Sequence, residues 1–332
     1  MDLRVWGATK LLACSLALSL SYILSSRPGA EGVTFTFQNS CKYMVWPGLL
    51  PNGGSPLLAD GGFELGAGQT LVLDAPVGWS GRFWGRTGCS FSSSASPSAV
   101  ACESGDCGGK LQCSGAGAAT PATLAEFTLA GTQPNVKLDF YDVSLVDGYN
   151  IPIAIAPFVR NLNTSSASSS QQHTAAAAST DSYVCEVAGC NADLNLACPK
   201  ELQVLASATT TTAVGTDGMA VVGCKSACEA FLSPQYCCTG SYANPNTCQP
   251  TSYSQLFKQA CPRAYSYAFD DPTSTFTCTG ADYSIIFCPS SLSEKNEVGS
   301  PLDESGARIG SFSGRGFVGL AVLNIIALLF VL

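Results

Sequence analysis

Sixteen cysteines lie between Cys41 and Cys288, and no other feature restricts the possible folds of this chain so strongly. A seventeenth, Cys14, falls in an N-terminal apolar segment. An even number of cysteines in an exported chain reads as disulfides. Zinc is disfavoured, because the single histidine, His173, sits in a Ser/Ala tract and no pair of CxxC steps has zinc-ribbon spacing. The CxxxC step at Cys224–Cys228 and the adjacent pair Cys237–Cys238 suit compact disulfide loops instead. The expectation is an extracellular, cross-linked module with neither metal nor cofactor.

The two ends support export. Arg4 and Lys10 flank the start of an apolar run from Leu11 to Leu24 that is short for a bilayer span. Residues 1–30 therefore read as a secretory signal cleaved near Ala30, with an uncleaved anchor as the alternative. At the other end, Phe317 to Leu332 is a 16-residue apolar tail behind the spacer RIGSFSGRG and the small trio Ser305, Gly306 and Ala307. That layout predicts a glycosylphosphatidylinositol (GPI) signal, with lipid joined at Ser305 and 306–332 removed. The alternative is a short tail-anchored helix. The protein would sit on the outer face of the plasma membrane, or be shed from it.

Charge narrows the partners. Between Glu31 and Ser305 there are 11 Lys and Arg against 23 Asp and Glu, a net of −12. Such a chain is poorly suited to nucleic acid or to direct contact with an anionic membrane, both of which need a cationic face.

The main module is expected over residues 33–289. VTFTFQNS alternates Val33, Phe35 and Phe37 against Thr34, Thr36 and Gln38, the period of a half-buried strand. TLVLDAP, GRFWGRTG, LAEFTLA, VKLDFYDVSLV and YNIPIAIAP continue the pattern, punctuated by Gly, Pro and Asn. Many short strands with turn signals predict an all-β sandwich or barrel. After Cys185 the chain reads as disulfide-stapled loops, with STFTC and SIIFC as strands and a short helix at SYSQLFKQA. Asn161 to Ser182 cannot bury a core and is expected to be a loop carrying the sequon Asn163-Thr164-Ser165. Residues 290–305 form a polar, acidic stalk.

From Cys102 the chain reads CESGDCGGKLQC, a tight cross-linked turn in which glycine meets the backbone demands around Asp106. This resembles the signature of the thaumatin-like proteins, group five of the plant pathogenesis-related proteins. Ser98, Val100 and Ser104 depart mildly from the family pattern. WSGRFWGRTGC, DFYDVSLVDGYNIP, CPRAYSYAFDDPTSTFTC and YSIIFCP resemble family blocks in the same order. The resemblance implies an antiparallel β-sandwich core with a disulfide-rich loop and short-helix region and a small loop domain. It also implies the pairs Cys41–Cys288, Cys89–Cys102, Cys107–Cys113, Cys185–Cys278, Cys190–Cys261, Cys198–Cys224, Cys228–Cys237 and Cys238–Cys248.

The stretch DFYDVSLVDGYNIP holds three acids, Asp139, Asp142 and Asp147, in an otherwise apolar setting. Read as one strand, Asp139 and Asp147 share a face opposite Asp142; a turn at Asp147-Gly148 or a bulge at Ser144 would be needed to bring Asp142 and Asp147 to one site. Asp139 is expected to be solvated or paired with an arginine. The resemblance implies an acidic cleft, and its positions here are Arg82, Glu126, Asp142, Asp147 and Asp270, with Arg86 and Asp271 close by in sequence. Clustered carboxylates raise one another's pKa, so Glu126 could act as an acid with Asp142 or Asp147 as its partner. The same acids suit sugar binding, with Phe127, Tyr141, Tyr149 or Phe269 stacking on a ring. The expected partner is β-1,3-glucan or a related wall polysaccharide, bound by a monomer in a defence role. An endo-β-1,3-glucanase is the alternative, and a hydrolase inhibitor or structural wall protein a further one. A lone histidine in a Ser/Ala tract gives no catalytic triad.

Overall fold

The computed structural model describes residues 32–91, 100–131, 138–159, 185–206 and 220–292. The signal segment, Ser98, the Ser/Ala loop with Asn163 and His173, the stalk from residue 293 onward with Ser305, and the apolar tail all lie outside the described residues. Among those described, no helix is long and apolar enough to cross a membrane. None of them form a group of three or more His, Cys, Asp or Glu that could hold a metal ion.

Alternation in sequence becomes alternation of burial. Strand β1 (Val33–Asn39) buries Phe35 and Phe37 and turns Thr34, Thr36 and Gln38 outward. It pairs with β3 (Thr70–Ala75) on one side and β12 (Ala281–Phe287) on the other. With β7 (Ile153–Val159) and the short β8 (Ala188–Gly189), these make a five-stranded sheet in the order β3-β1-β12-β7-β8. The facing sheet runs β11-β6-β5-β4-β2, built from Phe276–Cys278, Asp139–Ser144, Leu124–Thr128, Ser80–Arg86 and Trp46–Pro51. The β1–β12 pair is parallel, whereas the other strand-to-strand ladders among the described residues are antiparallel.

Aromatic rings fill the space between the sheets. Phe35 makes edge contacts with Phe127 at 4.8 Å, Phe83 at 4.9 Å and Trp79 at 5.6 Å between centroids. Such geometries suit the ring quadrupoles and add to the area buried. Tyr141, Tyr149 and Tyr283 are also buried. The Tyr141 hydroxyl donates to Glu186 O at 2.5 Å and that of Tyr149 to Ala192 O at 2.9 Å.

This settles the inward face of β6. Asp139, Tyr141 and Val143 point to the core, and Phe140 is exposed on the other face. The expectation of a solvated or arginine-paired Asp139 is wrong. The residue is 4% exposed, and its carboxylate accepts from Ala130 N at 2.7 Å and the Tyr283 hydroxyl at 2.8 Å.

The disulfides are Cys41–Cys288, Cys89–Cys102, Cys107–Cys113, Cys185–Cys278, Cys190–Cys261, Cys198–Cys224, Cys228–Cys237 and Cys238–Cys248. Half of them brace the loop-rich region after Cys185. There, β9 (Gln203–Leu205) pairs with β10 (Val221–Cys224), followed by helices α1 (Ala227–Phe231), α2 (Pro234–Cys237) and α3 (Ser252–Ala260). Helix α3 starts at a capping box between Thr251 and Ser254. A last short turn, α4, spans Asp271–Ser274.

Candidate functional site

Cross-strand register assembles the site. Leu50, Arg82, Glu126 and Asp142 lie directly opposite one another on β2, β4, β5 and β6, forming one row on the outer face of their sheet. Side chains opposed in this way meet, so a cation and two carboxylates become neighbours despite their distance in sequence. Arg82 Nε stands 3.7 Å from Glu126 Oε1, an ion pair too long for a direct hydrogen bond.

The next residues along β4 explain why Arg82 and not Arg86 serves this row. Trp84 is fully buried and donates to Gly105 O at 2.8 Å. Arg86 is 0% exposed, and its guanidinium donates to the carbonyls of Trp46, Pro47, Lys110 and Leu111 at 2.7–3.2 Å. Burial lowers it to about 10, against the opposing pull of Asp106. Asp106 in turn ties the glycine-rich turn by accepting from Gly108 N and Gly109 N, both glycines having positive φ. Arg86 is thus the peg that holds the cysteine-rich turn against the sheet, and Arg82 is left facing the cleft.

Electrostatics mark the acids. Burial pushes the Asp142 carboxyl up to about 8; Glu126 and Asp271 add repulsion and Arg82 opposes it. Burial also raises Glu126, with Arg82 opposing and Asp147 adding to the rise. Asp147 sits where the sequence allowed it, in a turn closed by Gly148 N to Leu145 O at 3.0 Å, with Gly148 at φ 83°. That turn carries Asp147 into an adjoining open groove of about 270 Å³.

The Asp270 assignment needs correction. One carboxylate oxygen accepts from Ser266 N at 3.0 Å and Ser266 Oγ at 2.8 Å and pairs with Lys258 Nζ at 3.0 Å. The other accepts from Thr273 Oγ1 at 3.3 Å, and the residue is 9% exposed. Asp270 thus braces the start of α4, while its exposed neighbour Asp271 is the one that repels Asp142. The aromatic expectation also changes. Phe127, Tyr141 and Tyr149 are core residues and present no face to a ligand; Phe269 is half-buried.

Two participants escaped the sequence reading. Tyr265 forms a parallel bridge to Ser144, which extends the sheet beyond β6, and its hydroxyl donates to Asp271 Oδ1 at 2.9 Å. Glu229 lines the groove with Asp147; burial raises its carboxyl, Thr120 and Lys225 lower it, and Asp147 raises it again. A signal for Glu229 did exist. Ser226-Ala-Cys-Glu229 has capping-box spacing, and Ser226 Oγ does accept from Glu229 N at 3.2 Å, which fixes the Glu in the first turn of α1. Of five buried side-chain atoms without a partner among the described residues, three belong to Arg82, Asp142 and Glu229. Unpaired buried polar atoms are costly, and three of the five lie around the row and its groove.

Comparison with known proteins agrees with this architecture. The Thaumatin family profile matches residues 39–289. Pathogenesis-related protein 5 of Arabidopsis thaliana is 51% identical over 275 residues, covering 83% of this chain and 98% of the relative. Pathogenesis-related thaumatin-like protein 3.5 of Cryptomeria japonica is 49% identical over 267 residues, covering 80% and 93%. A Prunus avium protein named glucan endo-1,3-beta-glucosidase is 45% identical over 278 residues, covering 82% and 98%. The chain belongs to the thaumatin family, as a thaumatin-like defence protein of the pathogenesis-related kind.

Proposed function

We propose that the Arg82–Glu126–Asp142 row and the neighbouring Asp147 bind β-1,3-glucan or a related wall polysaccharide. The carrying observation is that row itself: a cation, a carboxylate paired with it and a second carboxyl side by side, with Arg82 Nε and Asp142 Oδ1 making no hydrogen bond. A glucan offers successive hydroxyls that both donate and accept, and the row offers donors and acceptors in alternation. Proteins of this family are generally secreted, so the groove meets extracellular polymers. In our reading the protein works as a monomer held at the cell surface by a GPI lipid near Ser305, and Asn163 is glycosylated. Release by a phosphatidylinositol-specific phospholipase is expected; retention would favour a tail-anchored helix.

A second reading, hydrolysis, is favoured by the pKa pattern. Directly opposed residues on antiparallel strands hold their Cβ atoms about 4.5–5.5 Å apart, which is compatible with the carboxyl spacing of about 5–5.5 Å in retaining glycosidases. Asp142, raised to about 8, would be the acid, and Glu126 beside Arg82 the nucleophile. This reverses the roles expected from sequence. Reducing-end release and retention on insoluble β-1,3-glucan separate the readings. Binding predicts retention of the wild type, loss of retention in Arg82→Ala, and no release from either. Release that disappears in Glu126→Gln would make the protein a glucanase, and a wild type that is neither retained nor releases reducing ends would end both readings.

A further inference from the structure

The groove beside Asp147 has a second wall, and it is aromatic. Tyr236, Tyr253 and Tyr267 line it together with Asp147, Glu229 and Gln249. Tyr236 and Tyr253 are not isolated rings. They pack with Phe231, which is 40% exposed, at centroid distances of 5.3–6.0 Å. Helices α1, α2 and α3 each supply one ring, and Cys228–Cys237 and Cys238–Cys248 cross-link the segment between them. The Tyr253 hydroxyl donates to Glu201 Oε1 at 2.9 Å, which fixes the orientation of its ring. A ligand landing here therefore meets a surface that is already ordered, and little conformational freedom is lost on binding.

The lining selects a ligand class. Among the described residues no Lys or Arg lines the groove, and Asp147 and Glu229 do, so phosphate, sulfate and uronic acid groups are disfavoured. Tyrosine rings offer a rigid amphipathic surface whose electron-rich face attracts polarised C–H groups. Carboxylate and amide groups beside them accept from and donate to hydroxyls. A neutral pyranose matches both, with an apolar C–H face and a rim of hydroxyls. Asp147 connects this wall to the Arg82 row, because it lines the groove and also acts electrostatically on Glu126.

We infer that the tyrosine-lined groove is a separate sugar-stacking subsite, which takes a neutral pyranose unit of the same chain whose other units meet the Arg82–Glu126–Asp142 row. This rests on the glucan-binding reading and adds a length preference to it, since filling both places takes more sugar units than filling either alone. Calorimetric titration of the full-length mature protein with β-1,3-linked glucose disaccharide and hexasaccharide tests it. The hexasaccharide should bind more tightly. Tyr253→Leu and Tyr236→Leu should each reduce hexasaccharide affinity about tenfold, as loss of an aromatic anchor does, and leave the disaccharide little changed. Tyr253→Phe and Tyr236→Phe, which keep the rings, should retain most of that affinity. Should a Leu variant fail to fold, the ring-proton shifts of Tyr236 and Tyr253 in the wild type give the same information. They should move with hexasaccharide, and unmoved shifts at saturation overturn the subsite. Hexasaccharide binding that ignores both Leu variants but is lost in Arg82→Ala overturns the subsite alone and leaves the glucan reading intact. A wild type that binds neither sugar overturns both.

Discussion

Asp139 and Asp142 stand three residues apart on one strand and obey opposite rules. Asp142 keeps its proton in the folded state up to about pH 8, whereas in the unfolded chain it loses it near 3.8. Between those values the folded state binds more protons than the unfolded one, so stability falls as pH rises through the interval and levels off above it. Asparagine is neutral throughout. Asp142→Asn is therefore expected to stay close to the wild type near pH 4 and to exceed its stability at pH 8 by several kcal/mol, about 1.4 for each pH unit crossed. Thermal unfolding at both pH values checks this, and parallel pH profiles would refute it. Asp139 behaves as a core acceptor. Asp139→Ala strands the Ala130 amide and the Tyr283 hydroxyl and is expected to cost about 2–4 kcal/mol, with Asp139→Asn recovering part of it in denaturant titrations. Strand periodicity was enough to put these two acids on opposite faces, but it carries no label for inside. That label comes from the aromatic layer that Tyr283 belongs to, on a strand more than a hundred residues away. The same limit explains Asp270 and Asp271. Adjacent acids look alike in sequence, and only the backbone turn at Ser266 and the reach of Lys258 decide which one is held inside.

At the scale of elements, strands with alternating apolar residues were legible, and so was the helix over Ser252–Ala260. Strand β2 was not. WPGLLP carries Pro47 and Pro51, residues that cannot donate to a ladder, and they are tolerated because β2 is the edge of its sheet. Its pairing with β4 also depends on a missing side chain. A Cβ at Gly48 would fall 2.3 Å from the Trp84 indole, which crosses the space above it. Gly48→Ala is expected to destabilise by about 1–3 kcal/mol through overpacking. Gly53→Ala, which meets nothing within 4 Å, serves as the control and should stay within about 0.5 kcal/mol of the wild type. Equal melting temperatures for the two variants would refute the packing account. The Arg82 row lies one register step from Trp84, so Gly48→Ala is also expected to weaken glucan retention. The aromatic side chains of LAEFTLA and DFYDVSLVDGYNIP misled for a related reason: tyrosine is at home in a core when a carbonyl such as Glu186 O or Ala192 O receives its hydroxyl.

For the whole molecule, the number of cysteines announced a cross-linked module, yet counting could not choose among the possible pairings; family resemblance named one set. The bond between Cys41 and Cys288 spans a sequence separation of 247, against 9 for Cys228–Cys237. Chain entropy makes the longer closure worth about 5–6 kcal/mol and the shorter roughly half of that. Melting of the paired Cys→Ser variants should rank them in that order, and the reverse ranking would point to native-state strain or residual structure instead. The long closure has a mechanical meaning as well. Cys288 follows directly on β12, Cys41 comes soon after β1, and the two strands run side by side in the same direction. A load arriving from the C-terminal side cannot peel β12 away one bond at a time, because the sulfur bridge hands the force on to the segment behind β1. Both strands must shear together across the centre of a five-stranded sheet, so the domain resists being drawn out from that end like a stitched seam rather than a zipper.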